Sequence, residues 1–146
     1  MTNEANVAKD QAYVVPFEQL RMTDVDIVGG KNASLGEMIS QLAEAGVQVP
    51  TGFATTAQAF RDFLHHNNLT ERIAKRLELF DVDDVKALAE AGKEIRQWIV
   101  DAPMQPRLEE LIRKGFDTLQ NGSPEELSFA VRSSATAEDL PDASYA

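Results

Sequence analysis

The sequence predicts a mixed α/β domain in which a mostly helical middle segment lies beside a small sheet. Two observations carry this. Strand-like runs lie near both ends, at "YVVPF" (Tyr13 to Phe17) and in the alternating Leu127 to Arg132, while apolar residues between them recur at steps of three and four. The 146 residues are 43% hydrophobic and 26% charged, a composition that supports a core and does not resemble disorder.

Pro16 restricts the first strand to a sheet edge or a strand end. Residues 1–12 before it read as a disordered tail, with one domain or a large piece of one over 13–146. From Gly29 to Gly46, Leu35, Met38, Ile39 and Leu42 share one helical face, Glu37, Gln41 and Glu44 are on the wet face, and Gly46 suits the C′ position. "VQVPTGFATT" supplies a Pro-Thr-Gly turn and a strand at Phe53-Ala54-Thr55, and Thr55 or Thr56 can cap a helix carrying Ala57, Phe60 and Leu64. Thr70 is the expected cap of the next helix, with Ile73, Ala74 and Leu77. Asp83 is the expected N-cap before Val85, Leu88, Gly92, Ile95 and Ile99, a longer helix that Pro103 ends. Pro106 starts a helix with Leu108, Leu111, Ile112, Phe116 and Leu119 on one face, closing at Asn121-Gly122. Leu127, Phe129 and Val131 then alternate with Ser128, Ala130 and Arg132, a strand with one bulky and one small-residue face.

Charge and composition exclude several functions. Lys and Arg number 14 against 24 Asp and Glu, a net charge of -10, so the overall field repels nucleic acid and anionic membranes, and an anionic ligand must be held by local cations. With no cysteine, neither a disulfide framework, a zinc knuckle nor a thiol nucleophile is available. "MTNEANVAKDQA" has no apolar h-region, and no run reaches the ~18 apolar residues of a membrane span. A cytoplasmic location is expected.

Two constellations can carry chemistry. Arg132 falls on the small-residue face, which leaves room for a ligand against the sheet. Its planar fork matches phosphate oxygens, and Ser133, Ser134 and Thr136 add hydroxyls in the following turn. The alternative is an arginine paired with a structural carboxylate, and Thr136 to Asp139 also has capping-box spacing. In "VGGKNASLGEM" (Val28 to Met38), paired glycines permit positive φ just before a helix. Lys31 is expected on the inward face, four positions before Leu35, near a helix N-terminus where a cation requires a compensating anion such as phosphate. The competing account is a Gly-Gly turn with Ser34 and Glu37 as a capping box and Lys31 reaching water. The spacing fits neither the Walker pattern nor the dinucleotide fingerprint. His65-His66 has no i, i+4 ligand partner and reads as a solvated helix end, "DVDD" (Asp81 to Asp84) lacks the glycine and glutamate of a calcium loop, and Trp98 reads as core.

Together "GGKNASLGEM" (Gly29 to Met38), "VPTGFATTAQAF" (Val49 to Phe60) and "VRSSATAEDLPDASYA" (Val131 to Ala146) resemble the N-terminal region of the phosphoenolpyruvate synthase family, more closely than its relative pyruvate phosphate dikinase. The resemblance covers about Tyr13 to Ala146. It implies the N-terminal part of an ATP-grasp-type nucleotide-binding domain that, in the complete enzyme, passes the β-phosphoryl group of ATP to a histidine on a swivelling domain and thence to pyruvate. It assigns ATP-phosphate contacts to Lys31 and Arg132, and no catalytic or metal-binding residue to the rest of the chain. Relatives continue with Gly-Gln after the final alanine and usually carry phenylalanine at the position of Tyr145. The Mg²⁺ ligands, the phosphocarrier histidine in its Thr-Cys-His context and the phosphoenolpyruvate-binding barrel are therefore expected downstream, with the chain alone inactive. ATP and pyruvate are the implied substrates, Mg²⁺ the implied cofactor and gluconeogenesis the implied setting. The alternatives are another pyrophosphotransferase, such as pyruvate phosphate dikinase or an antibiotic phosphotransferase, and a non-catalytic binding module presenting the stripes at Val85 to Ile99 and Leu108 to Leu119.

Overall fold

The computed structural model describes residues 8–137 apart from 80 and 82. Asp139 of the expected capping box and Tyr145 lie outside the described residues, as do residues 1–7 of the expected tail. The chain divides into two compact units, Met1–Phe60 with Arg107–Ala146, and Arg61–Pro106.

In the first unit, β1 (Val14–Pro16) pairs antiparallel with β2 (Phe53–Thr55), placing Val15 opposite Ala54. The ladder is short because Pro16 offers no N–H and the chain then tightens into a 3₁₀ turn over Phe17–Gln19, with the Phe17 N–H donating to the Gly52 carbonyl at 3.0 Å. Val15, Leu20, Val28, Ala33 and Ala54 form the core, flanked by Ala12, Phe17, Val25 and Ile27. Residues 8–12 form a turn in which the Gln11 and Ala12 amides reach the Ala8 carbonyl.

A second 3₁₀ turn (Met22–Asp24) leads through α1 (Val25–Val28) to α2 (Gly30–Glu44). The residues α2 buries are Gly30, Ala33, Gly36 and Ile39, mostly small, whereas Leu35 and Leu42 are half-buried and Met38 is 45% exposed. The apolar periodicity therefore identified the helix but not its tightest line of contact. At Gly36 a Cβ would lie 2.5 Å from the Leu20 Cβ and 2.8 Å from the carbonyl oxygens of Leu20 and Phe17. The helix ends as expected at Gly46 (φ 79°), with the Gly46 N–H bonded to the Ala43 carbonyl and the Val47 N–H to that of Leu42, the Schellman pattern.

α3 (Ala57–His66) is capped by Thr56, whose hydroxyl accepts the Ala59 N–H at 3.1 Å, and it carries the chain from the first unit into the second. α4 (Leu69–Glu78) starts one residue before the expected cap Thr70, after Asn68 in the left-handed region. α5 (Val85–Asp101) is capped by Asp84 rather than Asp83. In the second unit α4 and α5 pack together, joined by Arg76–Glu94 at 2.6 Å and by Arg72 lying 3.8 Å over the Trp98 ring. Trp98 is thus half-buried under a guanidinium rather than wholly core. On α5, Ile95 and Ile99 are half-buried while Val85 and Leu88 are exposed.

α6 (Pro106–Asn121) follows, with Leu108 buried, Leu111, Ile112 and Leu119 half-buried and Phe116 exposed. The third strand expected at Leu127 to Arg132 does not form among the described residues: the segment is extended coil and the sheet has two strands. Its N-terminal end is tied to α6 by the Leu127 N–H on the Gln120 amide oxygen and by Phe129 stacking 4.5 Å from Phe116, while Val131 is 97% exposed. Alternation specifies two faces, but a strand also needs a backbone partner, and no described segment supplies one here. No helix of the described residues is long and apolar enough to cross a membrane.

Candidate functional site

The site is built where α1 meets α2. Gly29 separates them at φ 85°, ψ 164°, and its N–H closes α1 on the Val25 carbonyl at 2.8 Å. A helix start leaves its first amide donors without intrahelical acceptors. Here the chain following Arg132 supplies two acceptors: the Gly30 N–H donates to the Ala135 carbonyl at 3.3 Å and the Asn32 N–H to the Ser134 hydroxyl oxygen at 3.4 Å. The Ser134 hydroxyl in turn donates to the Val28 carbonyl at 3.0 Å, which also accepts the Asn32 side-chain amide at 2.9 Å.

Glycine at 29 is required twice over. Its φ is one that side-chain-bearing residues rarely adopt, and a Cβ there would stand 2.4 Å from the Ser134 Oγ and 2.8 Å from the Ala135 carbonyl oxygen. The Gly-Gly-Lys and Arg-Ser-Ser motifs, far apart in sequence, therefore dock backbone to backbone. Lys31 is the second residue of α2 and is exposed, not on the inward face expected for it. Arg132, two residues before Ser134, is also exposed and makes no hydrogen bond or ion pair among the described residues, so the structural-carboxylate alternative finds no partner there. The structure brings the two segments together through the Gly30, Asn32, Ser134 and Ala135 contacts. The Ser34–Glu37 capping box is corrected: α2 begins at Gly30, the Ser34 hydroxyl meets the Met22 sulfur, and Glu37 accepts the Met22 and Gln41 N–H groups.

Ser134, Asn32 and Gly29 as a seam were missed by sequence reasoning. The adjacent serines after Arg132 were the available signal, but which of them would bond, and to what, depends on a contact 102 positions away in sequence. Nearby, Asp24 is buried and accepts the Lys9 ammonium and the Arg21 N–H, each at 2.9 Å. Burial raises its carboxyl, but the hydrogen bonds from Lys9 and Arg21 and their charges outweigh it and hold the group below the usual aspartate range.

The remaining candidates stay local. Asp81 accepts the Asp83 N–H and Asp84 caps α5, which is turn chemistry; Val82 of that stretch is outside the described residues. His65 and His66 are exposed at the end of α3. An open cleft of about 540 Å³ lined by Glu18, Ile39, Ala43, Val47, Val49 and Thr51 flanks the C-terminal half of α2 and includes neither Lys31 nor Arg132.

Residues 25–146 match the pyruvate phosphate dikinase AMP/ATP-binding domain, so the chain belongs to that family of nucleotide-binding domains. Within it, the chain is similar to phosphoenolpyruvate synthases. It is 61% identical over 135 residues to that of Neisseria meningitidis serogroup B, covering 92% of this chain and 17% of the relative. The Escherichia coli K12 enzyme is 58% identical over 133 residues (91% and 17%), and a probable phosphoenolpyruvate synthase from Staphylothermus marinus 48% over 145 residues (97% and 17%). The chain thus spans 17% of the length of these relatives.

Proposed function

We propose that this chain supplies ATP-phosphate contacts, through Lys31 and Arg132, to a phosphoenolpyruvate synthase that converts ATP, pyruvate and water to AMP, phosphoenolpyruvate and phosphate through a phosphohistidine. The observation that carries the reading is the docking of the Arg132-bearing turn onto the N-terminus of the Lys31 helix, which gathers two cations of a chain with net charge -10 on neighbouring segments. In phosphoryl transfer such cations hold the phosphates and stabilise charge spread over the transferring oxygens. The domain is read as ATP-grasp type and the parent as cytoplasmic and gluconeogenic.

Mg²⁺ is the parent's cofactor in this reading and would neutralise phosphate charge when bound. Among the described residues no three His, Asp or Glu side chains converge on a point, and in this reading the ion's ligands come from the rest of the parent, so no step is routed through it. The family description carries the name of pyruvate phosphate dikinase, so the acceptor is read from the similarity to phosphoenolpyruvate synthases.

The test replaces Lys31 and Arg132 separately by Ala in the full-length parent and follows pyruvate-dependent AMP formation alongside thermal unfolding. Each variant should lose about 2–4 kcal/mol of transition-state stabilisation, roughly 30- to 1000-fold, with the fold intact. Near-normal rates in both overturn the assignment.

A further inference from the structure

We infer that Ser134 is a positioning residue for phosphoryl transfer: its hydroxyl latches the Arg132 segment to the Lys31 helix and sets where the guanidinium stands. The inference rests on the reading of Arg132 as a phosphate contact. Arg132 has nothing of its own to hold it, being exposed and without hydrogen bond or ion pair among the described residues. Nor does the backbone leading to it. Among the described residues, the next hydrogen bonds in the segment after the Leu127 amide are those of Ser134 and Ala135 at the α1–α2 junction.

Of those bonds, the hydroxyl's is the side-chain-specific one, since the Ala135 carbonyl is available whatever residue precedes it. Ser134 both donates, to Val28 at 3.0 Å, and accepts, from Asn32 at 3.4 Å. It therefore bridges the last turn of α1 and the first of α2 on either side of Lys31's neighbour Gly30. The hydroxyl fits into space that a Cβ on Gly29 would fill at 2.4 Å, so the seam is shaped for a side chain of this size. A hydrogen bond of this kind contributes modestly to folding, yet small displacements of a positioning group are costly to rate.

The experiment is a double-mutant cycle in the full-length parent: wild type, S134A, R132A and the double variant, assayed for kcat and KM for ATP in pyruvate-dependent AMP formation, with thermal unfolding of each. S134A should lower kcat/KM for ATP by about 5- to 50-fold while unfolding stays cooperative. In the R132A background the same substitution should change it by less than about twofold, because a residue acting through Arg132 has nothing left to position. An equal loss in both backgrounds, or no loss in S134A, overturns the inference while leaving Arg132's role standing. Should R132A itself be fully active, the reading beneath it falls and the inference with it. If S134A does not fold, S134G, which also removes the hydroxyl, is run through the same cycle and read by the same criteria.

Discussion

At the residue scale, two positions show how competing effects decide a sign. Gly36 sits inside α2, where alanine would ordinarily gain up to about 1 kcal/mol in helix propensity. Against that, a Cβ would press on the carbonyl oxygens of Leu20 and Phe17 at 2.8 Å, backbone atoms that cannot swing aside. Overpacking costs typically about 1–3 kcal/mol, so G36A should be net destabilising by about 1–2 kcal/mol in urea unfolding, and a stabilised variant would contradict the packing of α2 on the 3₁₀ turn. Asp24 gives a pH dependence. Its carboxyl is held below its unfolded value, so the stabilisation it contributes is present above the unfolded aspartate pKa near 3.8 and is lost as pH falls through the lower folded value. Stability measured against pH should therefore drop below about pH 4 more steeply in the wild type than in D24N, which has no proton to gain there. Parallel curves would mean that Lys9 and Arg21 do not favour the ionised form.

At the element scale, helices were legible and the third strand was not, for one physical reason. α2, α5 and α6 announce themselves through residues within a few positions of one another, and their ends through local chemistry: Gly46 with the Val47 and Leu42 backbone, Pro103 after α5, Pro106 at the start of α6. Caps were legible only to within a residue. "DVDD" offers several carboxylates, and Asp84 wins over Asp83 because its side chain reaches the Ala87 N–H at 3.1 Å while the Asp83 N–H is engaged by Asp81. D84A should accordingly destabilise α5 by about 1 kcal/mol, read as loss of amide-exchange protection in its first turn, while D83A leaves that turn unchanged. The run from Leu127 to Arg132 carries strand patterning equally clearly, but a ladder is a property of two segments. The candidate site divided the same way: Lys31 and Arg132 stood out as cations beside glycines and serines, whereas Ser134 and Asn32 acquire meaning only through a contact that closes a loop of more than 100 residues.

At the scale of the whole molecule, net charge and histidine usage constrain the chemistry this chain can hold. A charge of -10 means that a nucleotide is not drawn to the surface at large, so loss of Lys31 or Arg132 should be felt locally and should not be replaced by a diffuse field. The phosphoryl acceptor implied by the family resemblance is a histidine beside a cysteine, and this chain has no cysteine and two histidines, His65 and His66. Both are exposed at the C-terminal end of α3, where their imidazoles face water. They belong to the unit Arg61–Pro106, while Lys31 and Arg132 belong to the other. Exposed surface substitutions usually change stability by less than about 0.5 kcal/mol, so the double change H65Q/H66Q in the full-length parent should leave pyruvate-dependent AMP formation within about twofold of wild type. The same 146 residues in isolation, given ATP and pyruvate, should form no AMP above the uncatalysed background. AMP release by the isolated chain that disappears in H65Q/H66Q would instead make one of these histidines a phosphoryl acceptor and would move the chemistry into this segment.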